Sequence, residues 1–325
     1  MKRRTFTLSA AAAALAATHP LLRAQGQWPD KPVRMILSQP AGSGPDILAR
    51  YLGEHLARAW KQPVVIDNRP GGQNVIGAQA AARAAADGYT LYYATTAAMV
   101  TNVYTFKALP YDPVKDFVPV RLVGRSPFLI ASGAGFSGKT VAETIAKAKS
   151  APGSVSIATE GPKTFSGMLA DAFADMAGVK LNHVPYTKAP DALQDVIGGR
   201  VDLVCLPDAA LTAYMKSGQI RALATSTAQR LPDWPNVPSL SETFPGFEYT
   251  GWNGVFAPAG TPADVVTRIN RDVEAVLRQP EVAQRMQTLG SKVEQSMTVA
   301  EFDTFMRGER DRWGKLVKVL KIQAE

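Results

Sequence analysis

The stretch SQPAGSGPDILAR, residues 38–50, sets small residues between an apolar run and an amphipathic one. Ala41, Gly42, Ser43 and Gly44 carry little side chain, and Asp46 falls in the first turn of the helix that the following pattern predicts. Backbone N–H groups at a helix start lack internal partners and lie at the positive end of the dipole, so this loop offers a seat for an anion. A Gly-Ser-Gly turn can also be only a turn, and an acid in a first turn is favourable for the helix alone. Both readings of Asp46 stay open on sequence.

The pattern of a short apolar run followed by small or hydroxyl residues recurs. Thr95 and Thr96 end one run, Thr159, Glu160, Gly161, Lys163 and Thr164 follow another, and Tyr186 and Asp208 follow two more. The candidate ligand-binding set is therefore Ala41, Gly42, Ser43, Gly44, Asp46, Thr95, Thr96, Thr159, Gly161, Lys163, Thr164, Tyr186 and Asp208, with Trp252 as a flat apolar wall. N–H and hydroxyl donors converging on one gap suit a carboxylate. Each residue has a structural competitor: helix capping for Thr159 and Thr164, core packing for Tyr186 and Trp252, and solvent for Lys163. If Lys163 faces the gap, it is the partner a second carboxylate would need once water is excluded.

Equipment for a reaction is missing from the pattern. Of three histidines, His19 lies near the N-terminus, and His55 and His183 show no metal-ligand spacing with the single cysteine, Cys205. There is no G-x-S-x-G, no G-x-x-x-x-G-K-[ST], and the 42–44 loop lacks the third glycine of a dinucleotide site. The expectation is a binding protein with no cofactor and no metal.

The frame that must position these loops alternates strand and helix signals. Strands are expected at 33–37, 64–67 and 91–94, with helices at 46–60 and 77–86 between them. This βαβαβ rhythm implies a parallel sheet covered by helices. Residues 118–132 then read as one long extended piece. A second set follows: helices at 141–150, 165–177, 189–197 and 209–217, and strands at 154–158, 182–184, 201–206 and 222–226. A proline-rich linker at 231–245, an extended piece at 250–256, and helices at 263–278 and 300–319 complete the chain, with a short helix restarting at Pro280. Two α/β units joined by two extended crossings predict a two-lobed cleft protein, each lobe a mostly parallel sheet flanked by helices. Residues 25–126 and 228–325 would form lobe one and 127–227 lobe two, with hinges near 124–132 and 226–232.

Composition narrows the setting. The chain has 325 residues and is 46% hydrophobic, enough for a large core in each of two lobes. Residues 1–24 carry the marks of a signal peptide: Lys2, Arg3 and Arg4, an apolar stretch at 10–17, and a small residue, Ala24, at the cleavage point. The Arg3-Arg4 pair leaves both the general and the twin-arginine export routes open. Removing that segment takes Lys2, Arg3, Arg4 and Arg23 and no acid, so the formal charge falls from +8 to +4. The remaining charges are scattered, with no basic stripe, which argues against nucleic acid. No later run reaches the ~18 apolar residues of a membrane span. Cys205 sits in an apolar run and is expected to be buried and inert.

Longer segments carry a resemblance. "WPDKPVRMILSQPAGSGPDILAR", "QPVVIDNRPGGQNVIGAQAAARAAADGYTL", "LPYDPVKDFVPV", "HVPYTKAPDALQDVIGGRVDLV" and "GWNGVFAPAGTP" occur in register. Together they resemble the solute-binding receptors of tripartite tricarboxylate transporters, also called Bug receptors, over residues 28 to about 320. The resemblance implies a periplasmic Venus-flytrap protein of type II-like fold. It would act as a monomer, bind a small carboxylate and deliver it to a two-subunit inner-membrane permease. It also implies a ligand carboxylate held at Ala41–Asp46 by backbone groups and bridging waters. Further contacts would come from Thr95 and Thr96, from the Thr159–Ser166 loop, and from Tyr186 and its neighbours. The chain departs from the family pattern at Ser43 and Pro45, at the Glu160–Phe165 stretch where Gly and Ser are usual, and at Cys205–Asp208. Ligand identity is therefore open, with a dicarboxylate and an aromatic acid among the candidates. A receptor that presents its ligand to a membrane sensor kinase is the alternative, and a secreted hydrolase is disfavoured by the missing nucleophile motif.

Overall fold

Two sheets form where the sequence alternates apolar runs with amphipathic ones. The computed structural model describes residues 28–161, 164–186, 188–294, 296–320, 322 and 324. The expected signal peptide at 1–24 and Lys163 lie outside the described residues.

The buried run β1 (Val33–Leu37) leads into α1 (Gly44–Trp60). Ser43 caps α1, its hydroxyl accepting the Asp46 N–H at 3.4 Å; Pro45 pre-sets the first turn, and left-handed Lys61 ends the helix. Leu48, Leu52, Leu56 and Trp60 recur every fourth residue and are buried against the sheet. β2 (Val64–Asn68), α2 (Val75–Ala82) and β3 (Thr90–Thr95) follow, then a π-turn over Ala97–Thr101 and the short α3 (Asn102–Thr105). β4 (Phe117–Ser126) and β5 (Phe128–Gly133) are separated only by Pro127, which has no N–H to give either ladder.

The second lobe then runs α4 (Val141–Ser150), β6 (Ser156–Thr159), α5 (Phe165–Ala177), β7 (Asn182–Pro185), α6 (Ala189–Ile197), β8 (Leu203–Pro207), α7 (Asp208–Lys216) and β9 (Ile220–Thr225). The chain returns through fully buried β10 (Gly251–Pro258) and closes with α8 (Ala263–Leu277), α9 (Pro280–Thr288), β11 (Lys292–Val293) and α10 (Val299–Val319).

Strand order is β11-β4-β10-β3-β1-β2 in the first sheet and β7-β6-β8-β5-β9 in the second. The sheets are mixed, not mostly parallel as expected. β1 is parallel to β2 and β3, and β6 is parallel to β7 and β8. β10 is antiparallel to β3 and β4, and β5 is antiparallel to β8 and β9. The cause is connectivity: β10 and β5 each enter a sheet from the seam, against the direction of that lobe's βαβ strands.

This directionality places the site. β4 points the same way as β3, since both oppose β10, and it continues into β5. The carboxyl ends of β1, β2 and β3 therefore aim at the second lobe. β8 opposes β5, so the carboxyl ends of β6, β7 and β8 aim back at the first.

Buried polar pairs fix the crossing strands. The Arg121 side chain on β4 is fully buried and pairs with Glu274 of α8 at 3.0 Å. It also donates to the carbonyl of Glu294 at 2.8 Å and to that of Met297. Removing the guanidinium takes the side-chain donor from the Glu294 carbonyl, whereas Glu274 keeps Arg278 at 3.4 Å and the Met297 carbonyl keeps Asn270 Nδ2 at 3.0 Å. Arg121→Met should cost about 1–3 kcal/mol, read as a lower midpoint in urea unfolding, with ligand affinity unchanged in the folded fraction; a loss under about 0.5 kcal/mol would show that the cluster is no anchor.

Candidate functional site

The glycine loop owes its shape to Asp46. That carboxylate is 2% exposed and sits where α1 begins. Its Oδ2 accepts the Gly42 N–H at 2.8 Å and Arg50 Nε at 3.0 Å, and its Oδ1 accepts Asn68 Nδ2 at 2.8 Å. Burial alone would raise its pKa, but the hydrogen bonds from Arg50, Gly42 and Asn68 outweigh it and hold the carboxyl below the ordinary range. Asn68 also donates to the Gln39 carbonyl at 3.0 Å and accepts from Arg50 at 2.7 Å. Gly42 adopts φ +82°, a left-handed conformation that side chains resist. Asp46 thus braces the loop, and both its oxygens face protein donors.

Within the loop, the Gly42 N–H is spent on Asp46 and the Ser43 N–H on the Pro40 carbonyl at 3.2 Å. The Ala41 and Gly44 N–H groups have no hydrogen-bond partner among the described residues. A Cβ on Gly44 would meet nothing within 4 Å, so space lies open in front of the helix start.

Gln39 was not among the sequence candidates, although it continues the β1 parity of Met35 and Leu37. Its Nε2 donates to Asn74 at 2.6 Å and to Thr95 at 3.3 Å, and its Oε1 is buried without a partner. Thr95 therefore stands beside Gln39 at the rim of the loop. Thr96 and Trp252 do not. The Thr96 hydroxyl accepts the Trp252 N–H at 2.9 Å and locks β3 to β10. The Trp252 ring is buried among Phe256, Phe302 and Phe305, and its Nε1 donates to Glu309 at 3.0 Å. Core packing claims Trp252 because β10 is buried along its whole length.

On the second lobe, Thr159 is buried and its hydroxyl accepts the Gly161 N–H at 3.2 Å. Thr164 caps α5: its hydroxyl donates to the Gly161 carbonyl at 2.6 Å and accepts the Gly167 N–H at 3.2 Å. Both threonines are turned into their own loop. The Tyr186 hydroxyl donates to Asp195 of α6 at 2.5 Å. Asp208 accepts from Trp234 Nε1 at 2.8 Å, and burial raises its carboxyl above the ordinary range. Glu160, which the candidate set passed over, is exposed on the same edge.

Tertiary contacts put that edge against the first lobe. Phe165, the first residue of α5, packs on Phe128 at 4.6 Å between ring centroids and on Trp313 of α10 at 5.2 Å. Gly290, just before β11, lies so close to the start of α7 that a Cβ there would fall 2.2 Å from the Ala209 Cβ. A separate recess of about 550 Å³, lined by Val103, Tyr104, Phe106, Leu109, Pro113 and Arg310 among others, shares no residue with these loops. Among the described residues, no group of three or more His, Cys, Asp or Glu is placed to hold a metal, and no helix is long and apolar enough to cross a membrane. Cys205 is buried, and burial pushes its thiol pKa up, so it is unreactive as expected.

Residues 48–322 match the family model described as the tripartite tricarboxylate transporter family receptor. The chain belongs to this family. BugT of Bordetella pertussis is 31% identical over 298 residues, 90% of each chain. A UPF0065 protein of Bordetella bronchiseptica is 37% identical over 317 residues, 98% of this chain and 93% of that one. Among solved structures, an R. palustris protein with adipate superimposes with TM-score 0.82 at 30% identity, covering 92% of this chain and all of the other. MatC from Rhodopseudomonas palustris with bound malate gives TM-score 0.76 at 28% identity, covering 89% of this chain and all of that one. Receptors of this family bind solutes and are not enzymes. The two-lobed α/β fold expected from the sequence is the fold of these periplasmic binding proteins.

The Asp46 network predicts a pH signature. In Asp46→Asn an amide N–H₂ must face either Asn68 Nδ2 or the Gly42 and Arg50 donors. The loss should be about 1–3 kcal/mol at pH 7. A carboxyl whose folded pKa is depressed stabilises above its unfolded value and loses that contribution as pH falls through the folded value. The gap between wild type and variant should therefore be full at neutral pH and close below about pH 4. Thermal unfolding from pH 7 down to pH 3 checks this, and a gap constant across that range would refute the brace.

Proposed function

We propose that this receptor captures a small organic carboxylate between its lobes and delivers it to the membrane subunits of a tripartite tricarboxylate permease. One observation carries the reading. The unpartnered Ala41 and Gly44 N–H groups stand at the positive end of a 17-residue helix, braced from behind by Asp46, at the seam toward which both sets of strands point. Helix N-termini of this kind favour anions. The relatives solved with adipate and with malate support a carboxylate as the anion.

In this reading residues 1–24 direct export to the periplasm, by the general or the twin-arginine route, with cleavage near Ala24. Residues 25–126 with 228–325 form one lobe and 127–227 the other, and the chain works as a monomer. Dicarboxylates and aromatic acids are the first ligands to try. A ligand that touches both lobes favours the closed arrangement through contacts the open one lacks.

Thermal-shift screening of ligand-stripped protein against mono-, di- and tricarboxylates, aromatic acids and amino acids tests the ligand class. A ligand at 100 times its Kd should stabilise by about 2.7 kcal/mol. Gly44→Val tests the seat. The fold has room for the added side chain, so the unfolding midpoint should hold, while affinity should fall at least about tenfold because the methyls occupy the ligand's place. Unchanged affinity in the folded variant would remove the loop from the site.

A further inference from the structure

We infer that Glu160 reads the far end of the ligand and selects a hydrogen-bond donor there, an ammonium or a hydroxyl, over a second carboxylate. The inference rests on the carboxylate reading above and specifies its other terminus.

Glu160 follows β6 directly, on the edge of the second sheet that points back at the first lobe. Five residues further on, Phe165 is wedged between Phe128 of the crossing and Trp313 of the first lobe, so this loop borders the seam. The side chain is open to solvent, yet the protein around it pushes its carboxyl pKa upward. Its carboxyl reaches back to Ser166, a fully buried residue at the start of α5. Ser166 holds it there: the Ser166 hydroxyl accepts the Glu160 N–H at 2.9 Å and lies 3.4 Å from Oε2.

Among the described residues, the other side-chain candidates on this edge are committed elsewhere, Lys163 lying outside that set. Thr159 and Thr164 close their own loop, Tyr186 donates to Asp195, and Asp208 accepts from Trp234 and Thr212. The two walls are thus of opposite character, bare N–H groups at the start of α1 and a carboxylate at the end of β6. A ligand that spans them meets a donor at one end and an acceptor at the other. When closure strips water from the far end, an ammonium or hydroxyl gains a charge-assisted hydrogen bond, whereas a carboxylate meets a like charge in poor solvent. Discrimination comes as much from that repulsion as from the attraction.

Titration calorimetry at pH 7.5 with length-matched ligands tests this. The probes are hexanoate, 6-hydroxyhexanoate, 6-aminohexanoate and adipate, with butanoate, 4-hydroxybutanoate, 4-aminobutanoate and succinate as the shorter set. The amino or hydroxy acid of the better-binding length should exceed its dicarboxylate by about tenfold or more in wild type. Glu160→Gln should then weaken the amino acid and strengthen the dicarboxylate, each by about tenfold, and leave the monocarboxylate in place. Opposite movements of two ligands in one variant cannot come from misfolding. A wild type that prefers the dicarboxylate, or a variant that shifts all ligands alike, overturns the assignment of Glu160 and leaves the carboxylate reading intact. No binding by any of the eight overturns the role of Glu160 toward linear acids, and the wider thermal-shift screen decides the carboxylate reading separately.

Discussion

The chain leaves its first sheet along β4 and enters its second along β5 with a single residue, Pro127, between them. So short a link leaves no room to turn. β5 must run on in the direction of β4, and the hydrogen-bond ladders then fix every other strand relative to that line. The strands parallel to β4 end at the seam, and so do those antiparallel to β5. Helices that follow such strands start at the seam as well, which brings their bare N–H groups and caps to one place. The position of the site is thus a consequence of strand direction, and the loops only decide what it holds.

Keeping that line stiff takes polar groups in the core. Arg121 ties β4 to α8 and to the segment before α10, Trp252 ties β10 to Glu309 on α10, and Thr96 ties β3 to β10. Buried pairs of this kind add little net stability over apolar packing, but each has one geometry in which all partners are met. The same logic governs the loop at Asp46. A negative side chain beside an anion seat looks contradictory until its partners are counted. Gly42 N–H, Arg50 and Asn68 take up its charge, and among the described residues the N–H groups of Ala41 and Gly44 are left without a partner.

Burial and local propensity were legible in the sequence; direction and long-range partners were not. The helices at 165–177 and 189–197 appear with the bounds that apolar spacing predicts. The extended reading of 118–132 covers β4 and β5 almost entirely. An alternating apolar run looks the same in a parallel and an antiparallel ladder, so the mixed sheets were not visible. The π-turn at 97–101 was missed because its Ala, Met and Val residues fit several local structures. The loop at 41–44 was readable as a helix start because glycine and capping act locally. Thr96, Tyr186 and Trp252 misled because their partners decide their roles. Thr96 meets Trp252 across 156 residues, and Trp252 meets Glu309 across 57.

The seam itself has two sides of unequal strength. On one, Phe128, Phe165, Trp313 and Tyr249 form a run of aromatic contacts between lobes, with centroids 4.6 to 5.3 Å apart, and Gly290 sits tight on Ala209. Parting those rings would expose several large apolar surfaces, each worth a few kcal/mol when buried (about 25 cal/mol per Å²). On the other side stand the polar loops, where water can replace what the lobes offer each other at small net cost. The aromatic side is therefore the stronger joint between the two sheets, and the polar side the weaker.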